Sequence, residues 1–467
     1  MTGSSQKQHS LRKFHDYGKI PETATREYIL DLVKKQNVQF LNMQFTDLFG
    51  IVKAITIPVS KLEDAIDHNV WFDGSSIEGF TRIFESDMFL RPDLRTFAVL
   101  PWTADSQAPT ARIICDVYMS NGQPFSGDPR FILQRQLEKA AKLGYIYNTG
   151  PELEFFLFRK DENGKIQPLP HDNGGYFDQT TDLAAEIRQE MSFELQGMGI
   201  DVEALHHEVA AGSHEIDFRY ADALTTADNA VTLRMVLKTV AMRHGLHATF
   251  MAKPIRGING SGMHVHQSLF KNGANSFHEK SQESYGLSPL AKSFIAGQLE
   301  HIRECNLVTN PTVNSYKRLV VGYEAPVYIA WARTNRSALI RVPQITAGRE
   351  SATRIELRCP DPTCNPYLAF AVMLAAGLDG VERGLTPPAP VEENIFHFDD
   401  EEVQARSIGT VCGNLKEAID ECKKSELMRS VLGEHTFMKL IEAKEAEWDD
   451  YRMSVTPWEI EKYLEVY

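Results

Sequence analysis

Two glutamates, Glu152 and Glu154, stand one residue apart in the run GPELEFFLF. Alternate side chains of a strand share a face, so both carboxylates address one cavity while Leu153 and Phe155 pack behind them. Glu208 and Glu215 follow in HHEVAAGSHE, and NGSGMHVH brings His264 and His266. RIELR alternates Arg354, Glu356 and Arg358, a strand spacing that again presents all three to one side. Carboxylates with one or two imidazoles suit divalent cations such as Mg2+ or Mn2+. Guanidinium groups beside them suit phosphate oxygens, which they bind in pairs. Together they point to handling of the transferring phosphoryl of ATP. A solvated face is the plain alternative for any one of these strings, but so many buried cations need anions opposite them. His206 and His207 are adjacent, so at most one faces the cavity; His206 reads as a supporting group and not as a ligand. The loop INGSGM has glycines that permit close backbone approach, yet it lacks the phosphate-loop pattern GxxxxGK[ST].

Such groups need rigid carriers. TREYILDLVKKQ reads as a helix capped by Thr25, with Ile29, Leu32 and Val33 on its apolar face. VQFLNMQFTDLFGIVKAITIP reads as two strands turning near Asp47 to Gly50, and ARIICDVYM as another. Beyond Pro129, helical patterns such as RFILQRQLEKAAKLG and NPYLAFAVMLAAGLDGVERG alternate with strands. The expectation is an α+β chain in two domains: residues 15–105, mostly sheet, and residues 106–467, with the polar motifs at strand ends and in loops.

The 467 residues are 43% hydrophobic, enough for a large core. With 49 basic against 63 acidic residues, the net charge of -14 disfavours a nucleic-acid or membrane-surface role. It fits phosphate binding where cations neutralise the carboxylates locally. The six cysteines show neither CxxC pairs nor disulfide-framework density, so reduced thiols are expected. No window approaches the roughly 18 to 20 apolar residues of a membrane span. The start MTGSSQKQHSLRKF lacks the apolar stretch of a signal peptide, and a cytoplasmic location is the expectation.

In order along the chain, FTDLFG, WFDGSSIEGF, GPELEFFLF, HHEV, KPIRGINGSGMHVHQSL, NPTVNSYKRLVVGYEAP, NRSALIR and RIELRCPDP resemble type I glutamine synthetase. The resemblance implies ATP-dependent ligation of ammonia to the γ-carboxylate of L-glutamate through a γ-glutamyl phosphate. It implies a small β-grasp domain and a large catalytic domain with a curved antiparallel β-sheet flanked by helices. It also implies a homododecamer of two stacked hexameric rings, each site shared between ring neighbours. Glu154, Glu208 and Glu215 would hold the cation nearest glutamate, and Glu152, His264 and Glu356 the one beside the ATP phosphates. Asn259, Gly260, Arg318 and Arg358 would bind the amino acid, and His266, Ser268, Arg341 and Arg354 the nucleotide. Arg336 would stabilise the transferring phosphoryl. Asp47 would reach the neighbouring subunit's site and deprotonate ammonium, and Glu324 would complete the ammonium site on a mobile flap.

The shorter, feedback-regulated, non-adenylylated subtype is the nearer resemblance. Phe396 stands where the adenylylated subtype has tyrosine, and phenylalanine has no hydroxyl to modify. Arg82 in GFTRIFESD resembles the arginine through which the subtype senses glutamine. The tail YRMSVTPWEIEKYLEVY resembles one that makes ring contacts and meets PII-like or transcriptional nitrogen regulators. Val321 replaces a usual proline, which removes a fixed φ but no catalytic atom. A ligase of the same fold acting on a larger amine would alter the ammonium site, yet Asp47 and Glu324 are both kept. A non-catalytic ring would lose cation ligands or phosphate arginines, and none is lost.

Overall fold

The computed structural model describes residues 19–77, 79, 87–279, 285–323, 325–345 and 348–467. Along it run helices α1 (Arg26–Lys35), α2 (Leu62–His68), α3 (Pro129–Lys142), α4 (Ala185–Gly197), α5 (Ala223–Arg243), α6 (Pro289–Thr309), α7 (Ser315–Arg318) and α8 (Pro366–Arg383). Thr25, Asp128, Asp222, Ser288 and Asn365 accept hydrogen bonds from first-turn N–H groups of α1, α3, α5, α6 and α8. Prolines opening α3, α6 and α8 sit where a helix has no use for the missing N–H. α8 ends at Gly384, whose φ of 63° is the left-handed value that glycine adopts freely.

Strands β1 (Phe40–Thr46), β2 (Val52–Pro58), β3 (Val70–Asp73), β4 (Asp87–Pro92), β5 (Ala98–Val99) and β6 (Thr110–Met119) make a 6-stranded sheet ordered β2-β1-β6-β4-β3, with β5 also on β6. β1 and β6 run parallel and the other pairs antiparallel. Its core gathers Leu41, Met43, Leu90, Ile113 and Val117 with Ile29 and Val33 of α1. The boundary expected at residue 105 falls short of this sheet, because β6 bonds to β1, β4 and β5 and holds it together. The pairing of β1 with β6 joins residues far apart in sequence, which local patterns do not reveal.

The second sheet has 12 strands: β7 (Ile146–Lys160), β8 (Ile166–Pro170), β9 (Val202–His207), β10 (Ser213–Phe218), β11 (Ala221–Asp222), β12 (Leu246–Thr249), β13 (Met263–Lys271), β14 (Ala274–Asn275), β15 (Tyr328–Ala332), β16 (Ala338–Arg341), β17 (Ile355–Leu357) and β18 (Gly409–Thr410). Its main order is β18-β15-β16-β17-β13-β7-β10-β9, antiparallel except for β15 with β16. On β7 the alternation is strict where it matters. Leu153, Phe155 and Leu157 are fully buried and share a core with Val236, Leu237 and Val240 of α5, while Glu152 and Glu154 face the other way. Helices therefore cover one face of the sheet and leave the other for chemistry.

Two polar ties join the sheets. The buried Arg130 guanidinium lies 2.8 Å from Asp93, 2.6 Å from Asp116 and 2.9 Å from Asp228, spanning β6, α3 and α5. Asn365 Nδ2 donates to the carbonyls of Asp47 and Leu48 at 3.2 and 3.1 Å. All six cysteines are buried free thiols. Among the described residues no helix is long and apolar enough to cross a membrane.

Candidate active site

Strand register assembles the site. Glu154 of β7 lies opposite Glu215 of β10, which lies opposite His206 of β9. Glu152 lies between Asp217 of β10 and His264 of β13. His266 pairs with Glu356 of β17, and Glu356 with Arg341 of β16. Six strands thus place one row of carboxylates, imidazoles and a guanidinium across one face. The row opens into a cavity of about 350 Å3 that includes Glu208, Asn259, Gly260, Arg318, Arg336 and Arg358.

Two groupings in the row suit divalent cations. Glu152, His264 and Glu356 offer ligand atoms within 4.8 Å of one another, and so do His206, Glu208 and Glu215. The first is the set expected beside the phosphates. In the second, His206 joins Glu208 and Glu215 more closely than Glu154 does. Its Nε2 is 3.1 Å from Glu215 Oε1 and its Nδ1 is 3.4 Å from Glu208 Oε1. Register across from Glu215 places the His206 ring against both carboxylates, where it offers a ligand atom as well as the support expected of it. Glu154 lines the same cavity but spends one oxygen on the Gly262 N–H, at 2.9 Å. Asp217, missed in the sequence, leaves Oδ1 buried without a hydrogen-bond partner, as an acceptor awaiting a cation does. Its signal was the same two-residue step, from Glu215, that linked Glu152 to Glu154.

The carboxylates cannot all be ionised without cations. Burial pushes Glu154 up to about 8, with the Glu208 charge adding. Glu215 is raised to about 11 by burial and then by Asp217, Glu154, Glu152 and Glu208. Asp217 is raised to about 7 by burial and the Glu152 charge. Glu152 goes the other way: burial opposes ionisation, but hydrogen bonds from His264 and His266 outweigh it. Arg354 Nε donates to His266 Nδ1 at 3.2 Å, so His266 Nε2 carries the proton that Glu152 accepts at 2.7 Å. A face of partly protonated carboxylates is one from which cations displace protons.

Behind the row, Asp172 Oδ1 accepts from His207 Nε2 at 2.8 Å, and His207 Nδ1 donates to the Glu208 carbonyl at 2.6 Å. Both ring nitrogens face acceptors, so His207 is an imidazolium. Burial lowers its pKa, but Asp172 and that carbonyl raise it further. The pair fixes the backbone from which Glu208 projects.

Four arginines complete the first cavity. Glu356, 1% exposed, accepts from Arg341 Nε and, at 3.2 Å, from Arg358 Nε. Arg358 also donates to the Arg336 carbonyl, and Arg318 donates to the carbonyls of Cys359 at 2.8 Å and Arg358 at 3.1 Å. The Asn259–Gly260 loop is pressed against its neighbour: a Cβ on Gly260 would lie 2.1 Å from the Ala252 carbonyl oxygen. A second cavity, about 390 Å3, shares Glu152 and Asp217 with the first and adds His266, Ser268 and Arg354. Of the residues expected on the nucleotide, Arg341 alone lies in the first cavity. A larger, mainly apolar cavity of about 590 Å3 lies beside Gly50 and holds none of these groups. Asp47 lines none of the three cavities; it accepts from Phe49 N–H at 3.0 Å and Ile51 N–H at 2.9 Å, 3.2 Å from Lys53. Arg82 and Glu324 lie outside the described residues.

Paired acidic groupings facing an arginine wall are what a phosphoryl-transferring ligase of this kind needs, and the family models decide the matter. The description "Glutamine synthetase, catalytic domain" matches residues 126–463, and "Glutamine synthetase, beta-Grasp domain" matches residues 37–120. The chain belongs to the glutamine synthetase family. Glutamine synthetases of Clostridium saccharobutylicum and Thermus thermophilus are each 53% identical to it, over 95% of this chain and 99% of theirs. Among solved structures, a GmaS/ADP complex superposes with a TM-score of 0.84 at 31% identity, covering 93% of this chain and 99% of that one. Plasmodium falciparum glutamine synthetase gives 0.84 at 25% identity over 95% and 100%. For a glutamine synthetase, with its ATP and divalent cations, the donor set described above is chemically apt.

Proposed function

We infer that this chain joins ammonia to the γ-carboxylate of L-glutamate, with ATP converted to ADP and phosphate, through a γ-glutamyl phosphate. The observation that carries the reading is the pair of cavities meeting at Glu152 and Asp217, one walled by arginines and the Asn259–Gly260 loop, the other by His266, Ser268 and Arg354. Glutamate occupies the first and the nucleotide the second, so their reacting ends meet at the acidic row.

Carboxylate and ammonia do not condense readily in water because the departing oxygen is a poor leaving group. A γ-carboxylate oxygen therefore attacks the γ-phosphorus of ATP and ADP leaves. Ammonia then attacks the acyl carbon and phosphate leaves with that oxygen. Glu152, His264 and Glu356, and Glu208 and Glu215 with Glu154 or His206, would hold divalent cations, which would supply the positive charge that the transferring phosphoryl needs. Arg318 and Arg358 hold the substrate carboxylate, and Arg336 stabilises charge as it develops. Arg354 and His266, bonded to each other, hold the nucleotide phosphates. Asp47 serves a neighbouring subunit by taking the proton of ammonium, in keeping with its position away from its own chain's acidic cavities. That sharing requires a neighbouring copy, and twelve copies in two hexameric rings are the assembly that the family resemblance implies. Glu324 excludes water at the ammonium site, and Arg82 senses glutamine.

Oxygen-18 in the γ-carboxylate of glutamate tests the intermediate. Labelled oxygen in the released phosphate is expected. Phosphate free of label would exclude the acyl phosphate.

A further inference from the structure

Lys253 opens the segment KPIRGINGSGM, yet it is only 9% exposed and belongs to none of the groupings above. Its main chain is held twice by one side chain. Lys253 N–H donates to Asn314 Oδ1 at 2.7 Å, and Asn314 Nδ2 donates to the Lys253 carbonyl at 3.0 Å. Asn314 immediately precedes α7, which ends in Arg318. The Lys253 ammonium donates to the carbonyl of Ile258, the residue before Asn259. It also stands 3.8 Å from the centroid of the Tyr323 ring, and Tyr323 lines the first cavity.

Three segments therefore meet at one residue: the loop of Asn259 and Gly260 and the stretch ending at Tyr323 at its ammonium, and Asn314, before the helix of Arg318, at its main chain. Burial lowers the Lys253 pKa and the Arg318 charge lowers it further. A carbonyl dipole and an aromatic face are the groups that stabilise such a cation. The two contacts differ in span: the Ile258 carbonyl is five residues from Lys253 and the Tyr323 ring is 70.

We propose that Lys253 is a positioning residue that couples the amino-acid loop to the Tyr323 segment lining the first cavity, so that glutamate binding and protection of the acyl phosphate from water are set together. This rests on the reading of Asn259 and Gly260 as glutamate contacts. A lysine that only supported the scaffold would lower turnover and stability evenly and leave coupling untouched.

The test uses the full-length protein loaded with Mg2+. K253M keeps the stem and removes the cation, K253R keeps a cation, and Y323L removes the ring face. Glutamate KM, ATP KM and phosphate released per glutamine formed at subsaturating ammonia are read for each. K253M and Y323L are each expected to raise glutamate KM about tenfold, with ATP KM within about twofold. Each should also raise the phosphate-to-glutamine ratio above the parent's. The double variant should be no worse than the worse single, and K253R should recover part of the loss. Unchanged ratios in K253M and Y323L, or losses that simply add in the double variant, would overturn the coupling. Should K253M fail to fold, Y323L and K253R still decide. N259A separates the two readings: an unchanged glutamate KM there removes the loop assignment, whereas a raised one beside a normal K253M removes the Lys253 inference alone.

Discussion

Replacing Glu356 with glutamine removes one charge from the most enclosed carboxylate of the site. The side chain is 1% exposed, and each oxygen accepts from a guanidinium, Arg341 on one side and Arg358 on the other. A hydrogen bond to a charged partner contributes about 1.5–3 kcal/mol, so the two together set an upper range of about 3–6 kcal/mol. Arg341 is 33% exposed and can turn to water, which discounts its share, whereas Arg358 at 8% cannot. The amide also points an N–H group at one of the arginines. The expected loss is about 3 kcal/mol, or a fall in melting temperature of roughly 5 °C for a domain this large. The assay is thermal unfolding of the cation-free protein in EDTA at fixed concentration, since assembly shifts the midpoint. Mn2+ should then stabilise the parent more than E356Q, because one of the three groups that would hold that cation has lost its charge. A second variant, E356L with R358M, removes charge from both partners and should recover part of the loss. An E356Q melt within about 1 °C of the parent, or additive losses in the double variant, would refute the ion-pair reasoning.

Other outcomes follow from the same geometry. Glu154 and Asp217 have folded pKa values of about 8 and about 7, above the ordinary 4.5 and 3.8. Between those limits the cation-free fold binds more protons than the unfolded chain, so its stability falls as pH rises from roughly 4.5 to 8. Melts in EDTA across pH 6 to 8.5 should show this decline, Mn2+ should flatten it, and Mn2+ binding should release protons. A pH-independent melt in EDTA would contradict the assignment. Gly260→Ala drives a methyl into the Ala252 carbonyl and should raise glutamate KM at least about tenfold while sparing ATP KM. Equal loss for both substrates would place the loop elsewhere. Asp172→Asn removes the charge that keeps His207 protonated behind Glu208, and should weaken Mn2+ binding about 10- to 100-fold by calorimetry. Unaltered affinity would make that pair irrelevant to the cation.

Much of the site was legible because its spacing is local. The steps from Glu152 to Glu154 and from Arg354 through Glu356 to Arg358 depend only on strand alternation, and the structure places them on the cavity face. What stayed hidden depends on which strands are neighbours. His206 faces Glu215 only through the β9–β10 register, and the Asp172–His207 pair joins residues 35 positions apart. The first domain's edge failed for the same reason, since β6 was recognised as a strand while its parallel partner β1 lies some 70 positions earlier, at Phe40 against Thr110. Helix starts were more accessible. Thr25 was expected to cap α1 and does so, because capping is settled within three residues.

The most direct test of the account is stoichiometric turnover with Mg2+, ATP and glutamate, comparing ammonia with a panel of larger amines. Glutamine and phosphate should form in equal amounts with ammonia, and little product should form with the larger amines. E152Q should abolish both glutamine and phosphate release while leaving the protein folded. Phosphate release that favours larger amines, or full activity in E152Q, would contradict an ammonia ligase built on this carboxylate face.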